Sequence, residues 1–421
     1  MRDTSDAPPR ARGARLGWLD ALRGVAALVV VYEHALNPLY PELREVTGPW
    51  FDAGMYGVMV FFLVSGYVIP ASLERRGSVP EFWIGRLFRL YPLWAVVVAA
   101  ALLLAVTGID APHIWLTDRP ASAILGHLTM LQDLLNVPNV INVLWTLSYE
   151  MAFYLLVTAL YLARVHLRSA EIACGFGVLA VAAGGILPSV LLSRGAGATL
   201  ATTLAVIALA GCGLAGALSS RAALRRAGAV ALALVTLGLI AVNGRIPAWQ
   251  SLTILATMFA GTALYRAKAG QIGWPRALAL AGSVPVAAVA AGGWHSPGFP
   301  WSWAIAVVAA WATFAAGMLL AERRMPAVWA WLGMVSYSVY LLHPILLEIV
   351  DGLLPDPASI AWPYRLGLGV VVLAVLLGCS ALTYRLVEAP AQRAGRRLAA
   401  AARSGGAGPG RPLKDGGRVP G

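Results

Sequence analysis

An arginine, a glutamate and a histidine stand in the first strongly apolar stretch of the chain. Arg23 and His34 are eleven positions apart. On a helix that is three turns plus roughly 20°, so both would lie on one face about 16 Å apart. An imidazole ordinarily has a pKa of about 6.5, which suits proton transfer near neutral pH. We predict His34 as a general base, with the preceding Glu33 among the catalytic residues; the alternative is a histidine that only bonds a neighbouring helix.

Two further arginines have the spacing of an anion site. Arg86 and Arg89 are three positions apart and would share a helix face at the mouth of the third apolar stretch, just before Tyr91. Two guanidinium groups can hold a phosphate or pyrophosphate through paired hydrogen bonds. Arginines that only orient a span in a membrane would have the same spacing, so the pair alone leaves both interpretations open.

Polar residues in later apolar stretches add candidates for the lining of a site. Glu150 precedes a long apolar run and needs a partner, for which His34 is a candidate because both would lie in the outer half of the membrane. Ser336, Tyr340 and His343 recur at i, i+4 and i+7 and should face the interior of a bundle. The remaining candidate lining residues are Ser65, Trp145, Ser148, Tyr154 and Tyr337.

These residues must be positioned by an all-α bundle that crosses a membrane many times. Of the 421 residues, 59% are hydrophobic and 12% are charged, whereas soluble domains have about 45–50% and about 25%. Apolar blocks of about 15–22 residues can cross a hydrocarbon core about 30 Å thick. We predict twelve spans, or ten if 227–242 and 276–292 are re-entrant. They lie near 20–37, 54–74, 91–107, 142–163, 170–190, 197–218, 227–242, 249–266, 276–292, 301–321, 329–350 and 365–387.

Charges in the connecting loops predict the orientation. Alternate loops are rich in arginine, beginning with Arg75, Arg76, Arg86 and Arg89, whereas the opposite loops carry mainly aspartate or a single arginine. This bias predicts a plasma-membrane protein with both termini in the cytoplasm. Residues 1–18 are then a cytoplasmic tail, 19–390 the membrane domain and 391–421 a basic, disordered cytoplasmic tail, with no soluble domain. The long outer loop 108–141 is expected at the membrane interface.

The basic charge does not predict a nucleic-acid binder. The formal net charge is +12, but the arginines form short clusters between apolar blocks, so membrane lipid and an anionic cosubstrate are the expected partners. Cys174, Cys212 and Cys379 lie in separate apolar blocks without disulfide or zinc spacing, and we expect no metal.

The order and wording of six segments resemble the membrane acyltransferase-3 family. The segments are Leu19–His34, Gly57–Gly66, Arg86–Pro92, Trp145–Tyr154, Ser336–His343 and Glu388–Pro390. Members of that family move acyl groups, mostly acetyl, from acyl-coenzyme A to hydroxyls of sugars and other acceptors. The resemblance implies that His34 is catalytic and that Arg23 is its motif partner. It also implies that Arg86 and Arg89 bind the coenzyme and that Glu150, Tyr337 and His343 line the site.

The resemblance leads to a specific hypothesis. Acyl-CoA, expected to be acetyl-CoA, binds from the cytoplasm with its phosphates at Arg86 and Arg89, joined by Arg23 and Tyr91, and its pantetheine arm extends toward His34. Glu33 or Glu150 orients the imidazole, and an acyl-histidine intermediate stays open. The acceptor is a hydroxyl of a carbohydrate, glycolipid or glycosylated metabolite. Many relatives end in a soluble esterase-like domain not found here, so a separate soluble transfer partner is an open alternative to direct acylation.

A transporter of a small metabolite or sugar is the rival hypothesis. About twelve spans would suit such a protein, but a transporter would be expected to show paired broken helices in its two halves, and the sequence shows no such repeat.

Overall fold

The computed structural model describes residues 10–108, 118–354, 356 and 359–406, with side chains from residue 17 to residue 403 of that range. Every regular element in this part of the chain is helical. In chain order the α-helices are α1 (Arg10–Leu39), α2 (Pro41–Thr47), α3 (Ala53–Arg76), α4 (Val79–Thr107), α5 (Pro120–Leu128), α6 (Trp145–Leu162), α7 (Ser169–Ala183), α8 (Ala196–Ala217), α9 (Ala222–Val242), α10 (Ala248–Lys268), α11 (Trp274–His295), α12 (Trp301–Leu319), α13 (Ala327–Leu353), α14 (Trp362–Thr383) and α15 (Ala389–Gly406). Short 3-10 turns (Gln132–Leu135 and Asn142–Leu144) precede α6, and a π-helical turn (Tyr384–Glu388) joins α14 to α15.

The predicted multi-span helical architecture is confirmed. Nine helices within the described residues are long and apolar enough to cross a membrane. They are α3, α4, α6, α8, α9, α11, α12, α13 and α14. Each of the twelve predicted segments overlaps a helix. The segments 227–242 and 276–292 lie within the continuous helices α9 and α11. The three predicted spans outside the nine are α1, α7 and α10.

Helix α10 is more polar than the nine candidate spans, and its central position in the bundle tolerates that composition. It packs against α3, α7 and α11, and 18 of its 21 residues are buried. A helix enclosed by other helices need not match the polarity of lipid, and small or hydroxylated residues favour its close packing. A Cβ at Gly66 would lie 1.8 Å from the Met258 carbonyl oxygen, and the Thr262 hydroxyl donates to the Gly66 carbonyl at 2.8 Å. The contact between α3 and α10 therefore requires glycine.

Helix α1 is placed by a second close crossing, with α13. A Cβ at Gly333 would lie 2.1 Å from the Asp20 carbonyl oxygen, and one at Gly24 would lie 2.8 Å from the Leu332 Cβ. Because the two backbones nearly touch, the polar face of α1 meets the stripe that includes Ser336 on α13. The crossing thus brings together two segments more than 300 residues apart in sequence.

Two segments differ from expectation. Residues 129–141 of the long loop are packed into the bundle, where Gln132 and Leu135 are fully buried, whereas α5 exposes Ile124 and Leu128; residues 109–117 lie outside the described part of the chain. The disorder predicted from residue 391 is wrong for 391–406, which form α15 and pack on α4. Composition misled in both cases, because tertiary contacts compensate for weak local patterns.

Candidate functional site

A narrow cavity, here called the inner cavity, lies between α1, α3, α4, α6 and α13. The centres of water-sized molecules can occupy about 70 Å³ of it, where a single water needs roughly 10–15 Å³. The predicted site residues that line it are Arg23, Ser65, Arg86, Arg89, Glu150, Ser336, Tyr337 and Tyr340. The other lining residues are Val58, Phe61, Phe62, Ile69, Leu90, Thr146 and Leu147. The lining combines four charged residues with apolar, aromatic and hydroxyl-bearing ones.

Arginine dominates the charged side of the inner cavity. Arg23 lies 3.5 Å from Asp20 and interacts electrostatically with Arg89, Glu150 and Arg86. Arg86 is only 8% exposed. Like charges at this density repel unless an anion joins them, so the cluster is suited to a negatively charged ligand.

Aromatic rings hold Arg86 in place. Its guanidinium carbon lies 5.2 Å from the ring centre of Phe82 and 5.4 Å from that of Tyr154, both within cation–π range. The Tyr154 hydroxyl donates to the Glu150 carboxylate. Tyr154 therefore supports two residues of the inner cavity without lining the cavity itself.

A second, wider space opens beside the same arginines and is here called the basic cavity. It measures about 480 Å³ and lies between α4 and α15. Its lining residues are Arg76, Glu81, Gly85, Arg86, Phe88, Arg89, Gln392, Gly395, Arg396, Ala399, Ala400 and Arg403. Because Arg86 and Arg89 line both cavities, the two spaces meet at the predicted phosphate-binding pair.

Two histidines face each other on α1 and α13. The ring centres of His34 and His343 are 4.9 Å apart and the rings are inclined at 65°. His34 Nδ1 lies 2.9 Å from the Val30 carbonyl oxygen, and His343 Nδ1 lies 3.2 Å from that of Val339. A carbonyl oxygen only accepts, so each Nδ1 carries a proton, and Nε2 is the nitrogen that has a lone pair when the ring is neutral. The buried Nε2 of His343 has no hydrogen-bond partner among the described residues.

The inner cavity ends before it reaches His34. Phe61 and Tyr340, with ring centres 5.5 Å apart, close it on that side, and His343 lies behind Tyr340 at 6.0 Å. The Tyr340 hydroxyl is held by Thr146 Oγ1 at 2.9 Å. We call Phe61 and Tyr340 the aromatic barrier. The expected open path from the arginines to His34 is absent from the described structure, because these two rings occupy it.

The two carboxylates predicted to act on His34 lie elsewhere. Glu33 accepts a hydrogen bond from Arg44 of α2 at 2.8 Å. Because consecutive helix residues point about 100° apart, the Glu33 side chain leaves α1 in a different direction from that of His34. Glu150 lines the inner cavity with Arg23 rather than contacting His34. The group that orients the His34 ring is the Val30 carbonyl, so the pairing of Glu150 with His34 is wrong.

Three other predicted residues do not line the inner cavity. The Tyr91 hydroxyl donates to the Leu128 carbonyl at 2.6 Å, and Tyr91 borders an apolar groove between α4, α6 and α8. Tyr91 is two residues beyond Arg89 and so lies about 200° around the helix. Ser148 is buried and accepts from the Asp133 backbone N–H at 3.2 Å. Trp145 packs edge-on against Tyr149, with ring centres 5.7 Å apart.

Lining residues of two kinds were not predicted from the sequence. Thr146 and Phe61 are each four positions before a predicted residue, Glu150 and Ser65, so helical spacing could have found them. Arg396 offered no such signal, because it follows the last predicted span in a stretch whose composition is typical of disorder.

Comparison with known proteins agrees with this architecture. A family model described as an acyltransferase domain matches residues 16–384. No solved structure matches the chain.

Named relatives match over shorter segments. Acyltransferase MdmB of Streptomyces mycarofaciens is 31% identical over 159 residues, covering 35% of this chain and 39% of that protein. Nodulation protein 10 of Rhizobium leguminosarum bv. viciae is 30% identical over 161 residues, covering 32% of this chain and 41% of the relative. Peptidoglycan O-acetyltransferase OatA of Listeria monocytogenes is 28% identical over 155 residues, covering 33% and 23%. The matched segments thus span less than half of each relative.

The family model covers both the arginine cluster and the histidine pair, and it includes all nine candidate spans up to the π-helical turn. The chain therefore belongs to the acyltransferase-3 family of multi-span membrane proteins.

Proposed function

We propose that the protein is an O-acyltransferase that moves an acyl group, acetyl in the simplest case, from acyl-CoA to a hydroxyl of a carbohydrate, glycolipid or glycosylated metabolite. One observation carries the proposal: Arg86 and Arg89 line both a wide basic cavity and a narrow inner cavity, and Tyr340 at the closed end of the inner cavity contacts His343. Acyl-CoA has this same division, with a bulky anionic head and a slender arm that ends in a thioester.

The donor would enter at the arginine end. Its phosphates would be held by Arg86 and Arg89, and Arg23 would add a third positive charge further in. The pantetheine arm would fill the inner cavity as far as the aromatic barrier. Acyl-CoA is a cytoplasmic metabolite, so this end would face the cytoplasm of a plasma-membrane protein with both termini inside, as the loop charges predict.

His34 would serve as the base in the chemical step. Its Nδ1–H is held by Val30, which leaves the Nε2 lone pair to remove the proton from the acceptor hydroxyl. The acceptor oxygen then forms a bond to the thioester carbonyl carbon, and the carbon–sulfur bond breaks. The departing thiolate receives from His34 the proton that came from the acceptor hydroxyl. The rings of Phe61 and Tyr340 must move aside for the thioester to reach His34.

The names of the relatives support acyl transfer as the reaction class. MdmB is named an acyltransferase and OatA a peptidoglycan O-acetyltransferase. Only the name of OatA includes an acceptor, peptidoglycan, so the relatives favour transfer to an oxygen and leave the acceptor of this chain to experiment.

The test is transfer of radiolabelled acetyl from acetyl-CoA to extracted cell glycans by the purified protein in lipid nanodiscs. We expect the wild type to transfer label and His34→Ala to lose about 10²–10⁴-fold in rate, the usual contribution of a general base. His295→Ala is the matched control, because His295 lies on α11 and bonds the Val181 carbonyl. A His34→Ala protein that keeps more than a few per cent of the rate would contradict the assignment. Uptake into sealed vesicles without transfer would favour the transporter.

A further inference from the structure

Helix α15 forms one wall of the basic cavity. It follows the π-helical turn, where Ser338 of α13 donates to the buried carboxylate of Glu388, and then packs along the first half of α4. A Cβ at Gly395 would lie 2.6 Å from the Phe88 Cβ, so this contact needs a glycine. The close approach places the neighbouring Arg396 at the edge of the cavity.

Polar contacts fix the far end of α15. Arg403 Nε donates to Glu81 Oε1 at 3.0 Å, and Arg76 donates to the Glu81 backbone carbonyl. Glu81 has a side chain only 8% exposed, so it is a buried anchor rather than a loose surface partner. The helix is thus tied to α4 at its middle and near its end.

The charges around the basic cavity are unbalanced. Five arginines and one glutamate line it. Glu81 is occupied by Arg403, whereas Arg396 makes no ion pair with any residue in the described ranges. Arg396 therefore faces Arg86 and Arg89 across a space of about 480 Å³, within the roughly 300–1,000 Å³ of small-molecule sites. Only a ligand with several negative charges would satisfy three guanidinium groups at once.

We propose that α15 completes a binding site for the phosphorylated nucleotide head of the donor, with Arg396 binding phosphate from the side opposite Arg86 and Arg89. This rests on the proposed function. A phosphomonoester and a diphosphate together carry about three to four negative charges at neutral pH, enough to bridge the two helices. An anionic lipid headgroup offers the same chemistry, and the experiment separates the two sources.

The first experiment compares two donors in neutral-lipid nanodiscs: acetyl-CoA, and an S-acetyl pantetheine that has no phosphate. Arg396→Ala should raise the KM for acetyl-CoA about tenfold or more, because one charge-assisted contact is lost. The KM for the truncated donor should stay the same, so the ratio of the two KM values changes by that factor. Arg397→Ala is the matched control, since Arg397 is the next residue of α15 and does not line the cavity. Equal losses with both donors, or an equal loss in Arg397→Ala, would overturn the proposal.

The second variant tests the position of the helix rather than its charge. Gly395→Leu would force α15 away from Phe88 and should also weaken acetyl-CoA selectively over the truncated donor. An unchanged ratio of the two KM values in Gly395→Leu would show that α15 is not a wall of the site.

A third arm separates nucleotide from lipid and this proposal from the proposed function. Titration calorimetry with free CoA in neutral nanodiscs should show weaker binding in Arg396→Ala and unchanged binding in Arg397→Ala. The same titration in nanodiscs containing phosphatidylglycerol tests whether this anionic lipid competes with CoA for the basic cavity. Unchanged CoA binding in Arg396→Ala, with loss of the lipid effect, would assign the cavity to lipid and refute the proposal. If no donor supports transfer by the wild type, the proposed function fails, while the calorimetry still decides whether α15 binds CoA.

Discussion

The arginine end and the histidine end of the site are built in opposite ways. At the arginine end, Arg86 and Arg89 border two cavities. At the histidine end, His34 and His343 pack ring against ring, and the inner cavity stops at the aromatic barrier. Guanidinium groups repel each other and leave room for a counter-ion, whereas neutral rings attract edge to face and fill space. On the proposed function, donor binding would therefore need little rearrangement, but the chemical step would require the barrier to move.

After the loss of rate expected for His34→Ala, the largest expected effect is at the arginine end. Arg86→Ala removes a guanidinium that borders both cavities, and the loss of two charge-assisted hydrogen bonds should raise the KM for acetyl-CoA about a hundredfold. Arg86→Lys should recover only part of this, because an ammonium lacks the planar fork. The measurement is the initial rate of label transfer against donor concentration.

Arg75→Ala is the control for that variant, since Arg75 is an exposed arginine at the end of α3 that lines neither cavity. Thermal unfolding of each variant in detergent checks that the fold is intact. Equal KM values for Arg86→Ala and Arg75→Ala would remove the arginine end from donor binding.

The next effect is at the aromatic barrier. Phe61→Ala opens the closed end of the inner cavity and should raise the rate with a butanoyl donor relative to an acetyl donor by about tenfold, the usual discrimination of a methylene-sized space. Phe61→Leu, which keeps most of the volume, serves as the control. If Phe61→Ala leaves the donor preference unchanged, the cavity does not limit the length of the acyl chain.

A smaller effect is expected for the hydroxyl that holds the barrier. Tyr340→Phe removes the bond to Thr146 and a longer one, at 3.3 Å, to the Val143 carbonyl. Thr146 can still donate to that carbonyl at 2.9 Å. A buried hydrogen bond of this kind contributes about 1 kcal/mol, so unfolding should occur a few degrees lower. Tyr56→Phe, which breaks a similar bond to Thr313, should lower stability comparably without changing transfer. A transfer rate in Tyr340→Phe equal to that of Tyr56→Phe would separate the barrier from catalysis.

The smallest effect concerns the link between α2 and α14 near the histidine end. Arg365 donates to both carboxylate oxygens of Glu42 at 3.0 Å, and these bonds hold the pKa of Glu42 below its ordinary value of 4.5. A lowered folded-state pKa stabilises the fold above the ordinary pKa and ceases to do so as the pH falls through the lowered value. The stability difference between wild type and Glu42→Gln, followed by thermal unfolding from pH 7 to pH 3, should therefore shrink below about pH 4.5. Glu45→Gln is the control on the same exposed helix, and a difference independent of pH would contradict the assignment.

Local patterns predicted much of the fold and part of the site. A helix lies at every apolar block predicted as a span, and nine of the helices are long and apolar enough to cross a membrane. Helical spacing placed Arg86 and Arg89 on a face that does line the inner cavity, and Arg23 also lines it, whereas His34 does not. Within one helix, sequence separation sets direction directly at 3.6 residues per turn. The same rule explains why Tyr91 does not line the inner cavity. It is two positions beyond Arg89, so its side chain points from nearly the opposite face of α4.

Contacts between helices could not be obtained in that way. The sequence places Glu150, His34 and Arg396 in apolar or basic stretches, but which helices become neighbours depends on glycine crossings such as that of Gly333 with α1. Only the folded bundle pairs Glu150 with the arginines, closes the inner cavity with aromatic rings and lays α15 along α4. These pairings depend on packing between residues far apart in the chain, for which the spacing of residues within one helix carries no information.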